Sequence, residues 1–132
     1  MPANDPTTAL LGTDLVTDAF LVKGVTNLRR RTWPNNLSLA DPASPYLWED
    51  DVDLYLVTIT GAKTITLPAV SGGTAGRMCS VKAKSLGGQT LTIDTGDGST
   101  IDGAASITIT VDNDYVEMVN DGTSWRILSD TR

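Results

Sequence analysis

The chain has 132 residues, a formal net charge of −6 and no histidine, which excludes Ser-His-Asp and Cys-His nucleophile pairs, histidine-bound zinc and histidine acid–base chemistry. Cys79 is its single cysteine, so neither an intrachain disulfide nor a cysteine-based metal cluster can form. No apolar run is long enough to span a bilayer and the start MPANDPTTALLGTD has no basic n-region, so neither a membrane partner nor a secretion signal is expected.

Residues 1–45 are punctuated by Pro2, Pro6, Pro34, Pro42 and Pro45 and carry no clean strand alternation. They read as an N-terminal arm, mostly extended. Leu11, Leu15, Ala19 and Val22 recur at helical spacing and stop before Gly24, which suits a short helix between Thr13 and Lys23. AFLVKGV reads equally as a strand. The tract RRRTWPNNLSLADPASPY is expected to be extended, because a proline keeps the residue before it out of the α region. Here Asp5, Asp14, Asp18 and Asp41 balance Lys23, Arg29, Arg30 and Arg31, so the whole net negative charge falls on residues 46–132. An acidic body repels phosphate backbones, and no nucleic-acid partner is expected. Arg29, Arg30 and Arg31 adjoin Trp33, the guanidinium-plus-indole composition of interface hot spots. These four are the candidate partner-binding residues, suited to an acidic surface on this chain, a neighbouring copy or another protein.

From Tyr46 onward the chain reads as a β domain, residues 46–132. Seven segments carry strand signals: YLVTIT, TITLP, RMCSVKAK, LTI, SITITV, DYVEMV and TSWRIL. In TITLP, Ile65 and Leu67 share one face and Thr64 and Thr66 the other. In SITITV, Ile107, Ile109 and Val111 oppose Ser106, Thr108 and Thr110. This period of two marks a strand with one buried face. SGGTAG, LGG, TGDGS, IDGA and NDGTS supply glycine turns between strands, and Asn120-Asp121-Gly122 is the clearest hairpin. The expected fold is all-β, a small antiparallel β-sandwich or barrel of about seven short strands, preceded by the arm. Trp48 and Trp125 are expected in or beside the core. Aromatic residues make up only 5%, so part of the apolar burial is expected from other subunits.

Asp94-Thr95-Gly96 matches the active triplet of aspartic proteases, yet such an enzyme needs a second aspartate about 3 Å away and an apolar-apolar-Gly segment to brace the loop. Met118 to Gly122 has Asn120-Asp121 where that brace needs apolar residues. Asp-Gly recurs at Asp97, Asp102 and Asp121 as a turn signal, and Asp94 is read with them, as no catalytic residue. Asp94, Asp97 and Asp102 also lack the alternation and closing Glu of an EF-hand. They are expected to cap turn amides, so neither a metal nor a cofactor is assigned, although a turn offering carboxylates to Ca²⁺ is the competing reading. Glu49-Asp50-Asp51 with Asp53 reads as a solvated charge run leading into the first strand.

Taken in order, T-I-T-L-P, then A-G-R-M-C-S-V-K, then I-D-G, then D-G-T-S-W resemble a small β module of tailed-bacteriophage virion proteins: tail fibres, head fibres and capsid decoration (cement) proteins. The resemblance covers Tyr55 to Ser129. It implies a structural, non-catalytic protein of the virion, made in the host cytoplasm and commonly a homotrimer. Without heptads or repeats, a body with an arm suits a decoration protein bound to the major capsid protein or another virion protein. The alternative it leaves open is a fibre tip binding a host receptor or glycan.

Overall fold

The computed structural model describes residues 37–132. The expected helix or strand of the arm, and the candidates Arg29, Arg30, Arg31 and Trp33, lie outside the described residues. The fold is all-β. Among the described residues nine strands follow one another: β1 (Ser38–Ala40), β2 (Tyr46–Leu47), β3 (Leu54–Thr58), β4 (Lys63–Thr66), β5 (Met78–Ser85), β6 (Leu91–Asp94), β7 (Ser106–Ile109), β8 (Tyr115–Asn120) and β9 (Trp125–Asp130). All seven segments with strand signals are among them. β1 and β2 are additions, and β1 moves a boundary: it lies within the segment assigned to the arm, so the β body begins no later than Leu37. Leu56 N–H donates to Leu37 O at 2.7 Å and Asp41 N–H to Thr58 O at 2.8 Å, fastening β1 beside β3.

Two sheets form, in the orders β9-β8-β5-β3-β1 and β2-β4-β6-β7. They are mixed rather than antiparallel. β1, β3 and β5 run parallel in one sheet, as do β2, β4 and β6 in the other. The cause lies in the connections. Each link from β1 to β6 carries the chain to the opposite sheet, and two such crossings return it one strand over in its original direction. The result is a short coil of two strands per turn. Only β7, β8 and β9 reverse, against β6, β5 and β8 respectively, and complete both sheets.

The alternating side chains meet between the sheets. Tyr55, Val57, Val81, Val116 and Met118 from one face Ile65, Leu91, Ile93 and Ile109 from the other, all at 0% exposure. Removing each such side chain from water contributes roughly 1.5–3 kcal/mol. Trp48 and Trp125 both belong to this core. Val111 does not. β7 stops at Ile109, and Val111 is 57% exposed. Asn113, at φ 73°, donates its amide to Ala83 O at 2.6 Å, and Asp112 Oδ1 accepts from Leu86 N–H at 2.7 Å. Those bonds pull the loop toward β5 and turn Val111 outward.

The outer edge of β9 is covered where it begins. Trp125 N–H donates to Thr100 O, Asp102 N–H donates to Trp125 O, and Asp102 Oδ2 accepts from Ile127 N–H at 3.2 Å. A bulge between Ile127 and Ser129 then breaks the strand's regularity. Both devices blunt an edge that would otherwise pair with foreign strands.

Candidate functional site

Among the described residues, four connections meet at one end of the sandwich. β1, β3 and β5 start there and β2, β4 and β6 finish there, so the connections 48–53, 67–77, 95–105 and 121–124 cluster together. Hydrogen bonds tie them. Arg77 Nη2 donates to the carbonyls of Glu49 at 3.1 Å and Val52 at 3.0 Å. Trp48 Nε1 donates to Val52 O at 2.6 Å. Asp97 Oδ2 accepts from Val70 N–H at 2.8 Å. The Trp48 and Tyr46 rings meet Tyr55 edge-on, with centroids 4.7 and 5.8 Å away. Tyr46 donates its hydroxyl to Glu49, which raises the Tyr46 pKa. Burial raises that of Tyr55.

An open cleft of about 270 Å³ lies at this end, lined by Leu47, Trp48, the stretch Thr66-Leu67-Pro68-Ala69 and Thr95-Gly96-Asp97. Leu47 stands on the edge strand β2 and is 68% exposed. Its backbone is exposed as well. Tyr46 pairs with Ile65, and Trp48 N–H donates to Thr66 O, so the N–H and C=O of Leu47 point away from β4. Gly96 shapes the opposite wall. It adopts φ +62°, and a Cβ there would sit 2.5 Å from Thr66 Cγ2.

The two ends of the body differ in charge. Among the described residues, Glu49, Asp50, Asp51, Asp53, Asp94, Asp97, Asp102 and Asp121 belong to the cleft end with only Arg77 and Arg126 beside them. Arg77 is committed to carbonyls, and Arg126 Nε donates to Asp121 Oδ2 at 2.7 Å. At the other end Asp41, Asp112, Asp114 and Asp130 are matched by Lys63, Lys82, Lys84 and Arg132. The excess negative charge of the described residues therefore sits at the cleft end.

The turn carboxylates are engaged with the backbone. Burial alone would raise the Asp97 carboxyl, but the Ser99 hydroxyl at 2.6 Å, with the amides of Val70 and Ser99, holds it below the usual value. Asp121 is held low by Arg126 and by the amides of Thr123 and Ser124. Asp102 secures β9. Asp94 is the last residue of β6 rather than a turn residue. It pairs in register with Thr66 and Ser106, and its Oδ1 is buried with no hydrogen-bond partner. Among the described residues no three His, Cys, Asp or Glu side chains form a metal-sized cluster. The run Glu49–Asp53 does lead into β3, as expected, with Asp50, Asp51 and Asp53 exposed.

Sequence reading missed the cleft. Its walls come from three connections far apart in the chain. The one local signal was Leu47, an apolar residue outside any recognised alternation. No protein-family profile matches the chain, and no curated protein matches it.

Proposed function

We propose that this chain is a structural protein of a tailed-bacteriophage virion, a capsid decoration protein that binds the head surface and stabilises it, acting as a homotrimer and without catalysis. The observation that carries the reading is the ordered set of motifs and their use in the fold. TITLP is β4 and its exit, AGRMCSVK leads into and forms much of β5, IDG is the brace on β9, and DGTSW closes the β8–β9 hairpin. The motifs thus describe a scaffold. Aspartates committed to backbone amides and edge capping support a non-catalytic role in the same way.

A decoration protein needs a rigid body and an attachment element. Short strands locked by tight turns supply the first. The run Arg29–Trp33, basic where residues 46–132 are acidic and carrying a tryptophan, supplies the second by joining copies into the assembly that grips the head. Three copies multiply modest single contacts through effective concentration.

The test is made on particles of the phage that encodes the chain. Antibodies against it should label the head surface, and heads assembled without it should open at lower temperature. Label confined to the tail tip, or no label on the particle, overturns the proposal.

A further inference from the structure

We propose that the cleft beside Leu47 is a docking site for the basic, tryptophan-bearing run Arg29–Trp33 of a neighbouring copy of this chain. The inference goes beyond the virion reading, because it rests on the cleft and its charge and needs no particle.

A cleft of about 270 Å³ is smaller than most small-molecule pockets, which run from about 300 to 1,000 Å³. It suits one large side chain inserted from an extended segment. Its apolar wall, with Leu47, Leu67, Pro68 and Ala69, suits an indole. Its surroundings suit cations. Asp50 and Asp51 are exposed, and the bases at this end are already bound to partners. The outward N–H and C=O of Leu47 offer main-chain hydrogen bonds to a strand laid along β2, the mode of edge-strand peptide recognition. An occupant must then combine an extended backbone, several positive charges and an aromatic anchor. Arg29-Arg30-Arg31-Thr32-Trp33-Pro34 supplies the charges and the indole, Pro34 disfavours a helical residue before it, and the run is the chain's one cluster of consecutive bases.

The experiment follows self-association of the full-length chain by sedimentation, with a synthetic peptide of residues 27–36 as competitor. Association should weaken with added salt and with added peptide. Leu47→Lys alone, or Asp50→Lys with Asp51→Lys, should weaken it by about tenfold or more, as loss of an interface anchor does. Arg29→Glu, Arg30→Glu and Arg31→Glu together should weaken it similarly, and combining them with Asp50→Lys and Asp51→Lys should restore it. Restoration by charge exchange separates docking from misfolding, since two destabilising changes do not repair each other. The proposal is overturned if the wild-type chain stays monomeric, if the cleft variants associate as the wild type does, or if the exchanged variant fails to recover. Particle labelling reads the virion reading independently, so either idea can fail alone.

Discussion

Gly96 and Thr66 are in such close approach that a Cβ on Gly96 would lie 2.5 Å from Thr66 Cγ2, with Gly96 at φ +62°. The glycine of the Asp94-Thr95-Gly96 triplet is therefore explained by packing between β4 and the turn after β6. Gly96→Ala should destabilise the fold by roughly 1–3 kcal/mol through overpacking and left-handed strain. Adding Thr66→Ser removes the colliding methyl and should recover part of the loss, measured by denaturant unfolding. Full tolerance of Gly96→Ala would show that the turn is free to move.

Asp94→Asn provides a separate check. The Asp94 Oδ1 atom has no hydrogen-bond partner, so the neutral amide should cost no more than about 0.5 kcal/mol and can stabilise. A non-catalytic protein should show no peptidase activity that this substitution removes. Activity lost with Asp94→Asn overturns that view.

The Asp121–Arg126 pair makes a pH prediction. Arg126, together with the amides of Thr123 and Ser124, holds the Asp121 carboxyl below the usual 3.8. A depressed carboxyl stabilises the folded state above its unfolded pKa, and this contribution is lost as pH falls through the folded value. Asp41, lowered by the Thr60 amide and hydroxyl, acts with the same sign. Thermal midpoints should therefore fall below about pH 4, and Asp121→Asn should lower the neutral-pH midpoint while flattening that acid slope. An unchanged slope would leave the hairpin without the role given to it.

Trp125 is wholly buried with its indole N–H unpaired. Trp125→Ala should cost about 3–5 kcal/mol. Trp125→Phe should cost markedly less, because the ring volume is largely kept and the unpaired donor disappears. Equal losses would mean that the indole N–H has a partner.

Attachment to a particle should divide by chemistry. Charge reversal at Arg29–Arg31 should weaken head binding and reduce its dependence on salt, since exposed charges are screened within about 10 Å at 0.1 M ionic strength. Trp33→Ala should weaken binding at every salt concentration, because ring burial is not screened. Co-sedimentation with heads lacking the protein measures both. Light scattering should give about three times 14.0 kDa for the free protein.

Strand signals in the sequence marked seven of the nine described strands, and alternation marked buried faces: Ile65 and Leu67, Ile107 and Ile109, Leu91 and Ile93 all lie where a period of two puts them. It also marked Asp97, Asp102 and Asp121 as turn residues, because Asp-Gly encodes its turn within a few bonds. Pairing was decided only in three dimensions. A strand's own residues specify its faces but not its neighbour, so all the glycine-rich links looked like hairpins when two of them, 67–77 and 86–90, cross between sheets. The coil stayed hidden because its turns are unequal. Ser38 pairs with Leu56 while Leu54 pairs with Ser80, and no sequence repeat marks them. Val111, β1 and β2 show the same limit, since all three depend on hydrogen bonds to strands or loops that are not their chain neighbours. The cleft and the acidic end are further consequences of that coil. Parallel strands return successive connections to one end, and only there do carboxylates far apart in the chain become neighbours.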